Sequence, residues 1–311
     1  MNKIFITGAS GFVGARVARL LIEDGRDVAL LLRESSNTWR VDDLLGKCTV
    51  IRGSFFDCNL FRQEITSFAP QAVIHIAWDG VKGAERDGST QMKNLTASID
   101  LFNLAQEVGC RNFIGLGSQA EYGLMGGRIS EGAPTNPVSI YGATKLATGV
   151  VLDRASIVLG MRFAWLRLFS SYGSGDDGAW LLPYVINTLL NEQVPIVTKG
   201  EQIWDYIHVD DVAGALIATL DSQACGIFNL GSGTAYPLRA IIEQVRDHIN
   251  PLLPIEFGGL PYSKNQVMHL ESDISSLTKA TGWRPKITLT NGISDLVEEI
   301  KKAYSNPNLK I

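Results

Sequence analysis

The sequence predicts an α/β fold: a doubly wound parallel sheet with helices on both faces, and a smaller α/β unit interleaved with it towards the C-terminus. Three observations carry this expectation. Short apolar runs alternate with amphipathic stretches through the first 170 residues, the pattern of strand–helix units joined by right-handed crossovers. The first run passes directly into a glycine turn that opens a helix, Thr7-Gly8-Ala9-Ser10-Gly11-Phe12-Val13-Gly14. After about residue 170 the rhythm breaks into short strands and helices with glycine-bearing loops. Residues 1–170, with about 203–231, therefore read as one domain, and about 171–202 with 232–311 as a second.

Taken in order, Ile4-Phe5-Ile6 is a buried strand. Val13, Val17, Leu20 and Leu21 recur at helical spacing until Asp24-Gly25 stops the helix. This is the Rossmann-type arrangement of strand, glycine turn and helix. Glycines spaced G-x-x-G-x-x-G let the backbone approach a pyrophosphate, and the helix N-terminus offers free N–H groups and the positive end of its dipole. Gly8, Ser10, Gly11, Phe12, Val13 and Gly14 are thus candidate dinucleotide contacts. The second strand, 27–32, ends at Arg33-Glu34-Ser35-Ser36. An acid at this place holds the ribose hydroxyls of NAD, whereas an arginine accommodates the 2′-phosphate of NADP. Arg33 favours NADP(H), with Ser35, Ser36 and Arg40 placed to assist, and Glu34 keeps NAD open.

A third strand at 49–52 leads to a helix near 59–68, and a fourth strand covers 72–77. Residues 78–90 form an irregular loop near the ligand, followed by a helix over 91–108. The fifth strand, 112–116, places Gly117-Ser118 at its C-terminal end, where open α/β sheets bind ligands. A loop over 123–139 leads into the helix carrying Tyr141, and 163–168 is the sixth strand. Beyond it we expect a loop at 170–178, a helix near 179–191, strands at 194–198 and 203–208, a helix near 209–220 and a buried strand at 227–231. Helices near 237–249, 273–281 and 289–303, with a strand at 255–257, complete the chain.

Chemistry concentrates at Tyr141-Gly142-Ala143-Thr144-Lys145. Residues four apart on a helix share a face. A phenol titrates near ~10, and an ammonium one turn away favours the phenolate. The pair is a candidate acid/base for a sugar or alcohol oxygen.

Composition narrows the partners. With 45% hydrophobic residues in 311, a sizeable core is available. A net charge of -4 offers no broad attraction to nucleic acid. Cys48, Cys58, Cys110 and Cys225 lack C-x-x-C spacing, which fits a reduced, cytoplasmic protein. His75, His208, His248 and His269 lack metal-ligand spacing, so no metal is expected. A strand almost at the N-terminus argues against a signal peptide, and no apolar run has membrane-spanning length.

Further motifs are Ser118 before Tyr122-Gly123, Arg167-Leu168-Phe169 with Tyr172-Gly173, Asp205-Tyr206-Ile207-His208-Val209-Asp210-Asp211-Val212-Ala213, and Gly282-Trp283-Arg284-Pro285. With these, the chain resembles the extended short-chain dehydrogenase/reductases (the NAD-dependent epimerase/dehydratase family), in the branch that modifies nucleotide sugars, over essentially its whole length. The resemblance implies Tyr141 as acid/base, with Lys145 lowering its pKa and binding the nicotinamide ribose. It implies Ser118 as hydrogen-bond partner of the reacting oxygen, and Asn94 as support for Lys145 through water. It adds Ser54, Phe55 and Ala77 as cofactor contacts, Gln119, Ser170, Trp204 and Lys264 beside Ser118 as substrate contacts, and a homodimer.

Departures from the family pattern bear on the reaction. Sugar 4,6-dehydratases carry an Asp-Glu pair where this chain has Gln119 and Ala120, which disfavours elimination. The asparagine often found after the sixth strand is Ser170 here, and the arginine that often grips the substrate diphosphate is Trp204. Lys264, Arg239 or Arg284 then takes over, or the ligand is gripped differently. The resemblance therefore implies an NADPH-dependent reductase of a 4-keto-6-deoxy nucleotide hexose, with a nucleotide-sugar epimerase retaining NAD as the alternative. A non-catalytic cofactor-binding regulator is disfavoured because Ser118, Tyr141 and Lys145 are all present.

Overall fold

The computed structural model describes residues 1–305. Its first part runs β1 (Lys3–Thr7), α1 (Phe12–Glu23), β2 (Asp27–Leu32), β3 (Thr49–Arg52), α2 (Arg62–Phe68), β4 (Ala72–His75), α3 (Thr90–Glu107), β5 (Asn112–Ser118), β6 (Arg128–Ile129), α4 (Ile140–Leu159) and β7 (Arg162–Leu168). The remainder runs β8 (Ser170–Tyr172), α5 (Leu181–Leu190), β9 (Ile196–Val197), β10 (Ile203–Trp204), β11 (Tyr206–His208), α6 (Val209–Asp221), β12 (Gly226–Leu230), β13 (Tyr236–Pro237), α7 (Leu238–Ile249), β14 (Glu256–Phe257), β15 (His269–Ser272), α8 (Ser275–Thr281) and α9 (Leu289–Ser305).

Seven strands form one parallel sheet in the order β12-β7-β5-β4-β1-β2-β3. The period-two alternation of a strand sends successive side chains to opposite faces. Ile4 and Ile6 enter the core built with α1 and α6, while Phe5 enters the one built with α2, α3 and α4. The second of these cores is aromatic, with Phe102 and Phe113 edge to face at 5.2 Å. Strand order reverses at β1, which lies between β4 and β2. The loops leaving β1 and β4 therefore diverge and open a crevice at the C-terminal edge. A third apolar cluster joins Val185, Ile186, Ile241, Val245, Ile293 and Val297 of α5, α7 and α9.

Several boundaries differ from expectation, each with a local cause. The helix expected over 59–68 begins as a 3-10 turn, Cys58–Phe61, with Asp57 accepting from the Asn59 N–H at its start. Within the loop expected at 170–178, Ser170–Tyr172 pairs in parallel with β11. The single strand expected at 203–208 divides at Asp205, whose fully buried carboxylate accepts from Ser232 N (2.9 Å), Gly233 N (3.2 Å) and Ser272 N (3.0 Å). Its two halves, β10 and β11, join different sheets. β15, for which the sequence carries no periodic signal, pairs β10 on one side and β6 on the other.

The end of β5 is fixed by Glu121, which is fully buried. Its Oε1 accepts from Ser118 N and Trp165 Nε1, both at 2.9 Å, and its Oε2 accepts from Arg167 Nε at 2.7 Å. Ser118 and Glu121 form a capping box around the 3-10 turn Gln119–Glu121. Breaking a buried ion pair from one side leaves an uncompensated charge and costs ~3–5 kcal/mol, whereas removing both charges together costs much less. Urea denaturation of Glu121→Gln is therefore expected to show a loss on the order of 3 kcal/mol. The double variant Glu121→Gln/Arg167→Met is expected to be less destabilised than Glu121→Gln alone.

Candidate active site

A cavity of about 960 Å³ runs along the C-terminal edge of the sheet. At one end it is lined by Gly8, Ser10, Gly11, Phe12, Val13 and Gly14. Gly8 has φ +78°, and a Cβ there would stand 2.6 Å from Ala77 N. A Cβ on Gly14 would overlap the Gly8 carbonyl oxygen. A side chain at either glycine would collide with backbone, so glycine is what lets the turn pack this closely on the chain after β4 and on the start of α1. No side chain caps α1, and its first turn holds no acidic residue. These free N–H donors and the positive end of the helix fit a pyrophosphate.

The loop after β4 is placed by a directed chain of buried hydrogen bonds. Ser98 donates to Asn94 O (2.7 Å), so its oxygen accepts from His75 Nε2 (3.0 Å). His75 Nδ1 is then the acceptor for Thr7 Oγ1 (2.7 Å), and Thr7 in turn accepts from Ala77 N (3.3 Å). Burial, then the nearby Lys145, pushes His75 down to about 3, so the ring stays neutral and the direction of the chain is fixed. Beyond Ala77, the Asn94 amide donates to Asp79 O (2.8 Å) and accepts from Asp79 N (3.1 Å). Gln91 donates to Gly80 O (2.7 Å) and Glu85 O (3.0 Å).

Lys145 is buried between two indoles, with Nζ 3.8 Å from the Trp78 ring centroid and 5.5 Å from that of Trp165. Its ammonium donates to Leu116 O at 2.6 Å. Burial pushes it down to about 7, against the pull of Glu121. Tyr141 is buried with its ring edge-on to Trp78 (6.3 Å) and the Arg86 guanidinium 4.4 Å from its ring centroid. Burial pushes the Tyr141 phenol up; its hydrogen bond with Ser118 and the charge of Arg86 oppose that rise, and Glu121 adds to it. Ser118, Tyr141 and Lys145 all line the cavity, with Tyr141 hydrogen-bonded to Ser118, an arrangement able to hand a proton to or from a ligand oxygen.

Of the remaining residues singled out in the sequence, Arg33, Phe55, Ala77, Gln119, Ser170 and Trp204 line the cavity. Trp204 Nε1 donates to Ser170 Oγ at 2.7 Å. Others lie elsewhere. Ser54 does not line the cavity, and its hydroxyl accepts from Phe56 N (3.3 Å). Asn94 lies beneath the loop, both ends of its amide engaged by the Asp79 backbone. Lys264 is exposed in a turn closed by Gln266 N to Ser263 O (3.1 Å), and Gln266 lines the cavity in its place. Arg239, stacked on Phe257 at 3.8 Å, and exposed Arg284 do not line it either.

The cations that do line it, besides Arg33 and Lys145, are Arg40, Lys82 and Arg86. Two ion pairs cross the mouth: Arg33 to Asp79 at 3.1 Å, and Lys82 to Asp177. Sequence reasoning missed Trp78, Asp79, Lys82 and Arg86. Their one signal was position, directly after the C-terminal end of a parallel strand.

The family model described as the NAD dependent epimerase/dehydratase family matches residues 4–231. A UDP-glucose 4-epimerase of Corynebacterium glutamicum is 26% identical over 308 residues, covering 92% of each chain. A dTDP-4-dehydro-6-deoxyglucose reductase of Escherichia coli is 25% identical over 316 residues, covering 96% of this chain and 98% of the relative. Among solved structures, a UDP-N-acetylglucosamine 4-epimerase of Methanobrevibacter ruminantium in complex with UDP-N-acetylmuramic acid has a TM-score of 0.88 at 22% identity, over 97% of this chain and 98% of that one.

The Lys145 amine gives the cofactor-free protein a stability signature. Its folded value of about 7 lies below the ordinary 10.5. Between those limits the unfolded chain binds more protons, so stability rises with pH. Below the folded value both states are protonated, and the full cost of the buried charge remains. Urea midpoints measured across this window should climb more steeply with pH in the parent than in Lys145→Met, the difference levelling off above the ordinary lysine value.

Proposed function

This chain belongs to the NAD dependent epimerase/dehydratase family, and from that premise we propose an NADPH-dependent reductase acting on the keto group of a 4-keto-6-deoxy nucleotide hexose. The observation that carries the choice of cofactor is the cluster Arg33, Ser36 and Arg40 along the cavity wall at the end of β2. Arg40 also approaches the glycine turn, with Nη1 3.4 Å from Ser10 O. Two guanidinium groups and a hydroxyl suit a 2′-phosphate, for which Arg33 would exchange its half-buried partner Asp79.

The glycine turn and the start of α1 would hold the pyrophosphate, and Lys145 the nicotinamide ribose. When bound, the nicotinamide supplies the hydride to the sugar carbon. Ser118 and Tyr141 would orient the carbonyl oxygen, and Tyr141 would give it a proton, to be replaced from solvent. Elimination of a neighbouring hydroxyl is disfavoured. Gln119 and Ala120 supply no carboxylate, and both oxygens of Glu121 are engaged by Ser118, Trp165 and Arg167. The substrate end is lined by Trp180, Leu181, Gln202, Trp204, Leu238 and Gln266, so amides and aromatic faces would hold the nucleotide half.

A second reading, an epimerase retaining NAD, is favoured by the ion pair that already neutralises Arg33. It uses the same Ser118, Tyr141 and Lys145, and relatives of both kinds are known.

Denaturing the purified protein and identifying what it releases separates the two readings. The reductase should release little and then take up NADPH more tightly than NADH; stoichiometric NAD would overturn it in favour of the epimerase. Arg33→Ala should weaken NADPH by about tenfold or more, the worth of one charge-assisted hydrogen bond, and leave NADH nearly unchanged. With 4-keto-6-deoxy nucleotide sugars as acceptors, Tyr141→Phe should lower kcat roughly 10²- to 10⁴-fold with the fold retained. Undiminished turnover would remove Tyr141 as the proton donor.

A further inference from the structure

We propose that Asp79, just beyond β4, is a specificity-determining residue for the cofactor: its carboxylate competes with a 2′-phosphate for the Arg33 guanidinium and so sets how strongly the chain prefers NADPH to NADH. The inference rests on the role given to Arg33 above.

The pair spans the crevice where strand order reverses. Arg33 directly follows β2, Asp79 lies past the end of β4, and β1 runs between those two strands. The contact therefore bridges across the end of β1, from which the glycine turn leaves. Both residues line the cavity together with that turn, on the side given to the dinucleotide.

Each partner is presented by a backbone that is held independently of the pair. Asp79 N donates to Asn94 Oδ1 (3.1 Å), Asp79 O accepts from Asn94 Nδ2 (2.8 Å), and the Trp78 indole donates to Gln91 Oε1 (2.8 Å). Asn94 and Gln91 are fully buried. On the other side, Arg33 N donates to Ser36 Oγ and Ser36 N donates to Arg33 O, both at 3.0 Å, which closes the turn after β2. None of these bonds uses the Asp79 carboxylate or the Arg33 guanidinium. The two side chains can part with no change in the backbone on either side.

Charge and geometry decide the exchange. Arg33 reaches Asp79 through one nitrogen, Nη1 to Oδ2 at 3.1 Å. A guanidinium can meet a phosphate through two parallel N–H donors, and a phosphate monoester is close to doubly charged at neutral pH. A 2′-phosphate therefore displaces Asp79, but its net gain is lowered by what the pair was worth. NADH carries no such group and gives Arg33 nothing to leave Asp79 for. A ligand shifts an equilibrium only by its differential interaction with the two states, so Asp79 weakens NADPH selectively. The pair of Lys82 and Asp177 lies at the same mouth without involving Arg33, and serves as a control.

The test is titration calorimetry of NADPH and NADH on protein freed of bound nucleotide. Asp79→Asn removes the charge and keeps the backbone contacts. It should tighten NADPH by about two- to fivefold, the range that a partly exposed ion pair allows, and shift the NADPH-to-NADH affinity ratio by the same factor. Asp177→Asn should leave that ratio unmoved. In an Arg33→Ala background, Asp79→Asn should no longer shift the ratio, because the group competed for is gone. An unmoved ratio in Asp79→Asn, alongside lost NADPH affinity in Arg33→Ala, would overturn the proposal and keep the cofactor assignment. Equal tightening of both dinucleotides would also overturn it, making Asp79 a general repulsion on the pyrophosphate. So would a ratio shift that persists without Arg33. An Arg33→Ala variant that binds NADPH as the parent does would remove the cofactor assignment itself, and the competition with it.

Discussion

Water does not reach the Glu121 carboxylate, and most of the site is built outward from it. Its two oxygens collect Ser118 N, Trp165 Nε1 and Arg167 Nε. The first contact sets the end of β5, where Ser118 must meet Tyr141. The second fixes one of the two indoles that enclose Lys145. The third places the Arg167 guanidinium over the Tyr122 ring at 4.6 Å. From Tyr122 the polar chain continues through its hydroxyl to Asn229 Oδ1 (2.6 Å), and from Asn229 Nδ2 to Ile129 O (2.8 Å). One buried charge thus ties β5, β7, β12 and β6 together. Such a network is worth having only if every member is satisfied, and among the described residues no buried side-chain polar atom lacks a partner.

A second organising device is the segment from Trp78 to Asp87. Gln91 and Asn94 grip its backbone from the helix beneath, which frees its side chains for the cavity. Each then meets a different part of the site: Trp78 meets Lys145, Asp79 meets Arg33, Lys82 meets Asp177, and Arg86 meets Tyr141. A change in the backbone of this one segment would be felt at every one of those four contacts.

What could be read in the sequence follows from how local each feature is. The strand–glycine turn–helix unit and the spacing from Tyr141 to Lys145 obey short-range rules, so their geometry was legible before the fold was known. So was the likeness to its family, which the matched residues 4–231 and a relative covering 96% of the chain bear out. The division at Asp205 was not legible, because it depends on three N–H donors from residues 232, 233 and 272. Nor was the choice among basic side chains. Lys264, Arg239 and Arg284 have suitable chemistry, but tertiary packing leaves them off the cavity wall. Arg86 sits in a stretch without periodicity, and its meaning appears only once that stretch is docked on α4.

The ion pairs across the mouth have a kinetic consequence. Both are partly exposed, with side-chain exposures of 51% and 37% for Arg33 and Asp79, and 41% and 48% for Lys82 and Asp177. Pairs of this kind contribute at most ~1 kcal/mol each. Contacts this weak and this exposed form a leaky latch, not a barrier. Added salt loosens this latch while also screening the attraction of an anionic ligand to the cations behind it. Ionic strength therefore acts on entry in two opposing directions, and the sign of its net effect on the association rate reports which of them governs access to the cavity.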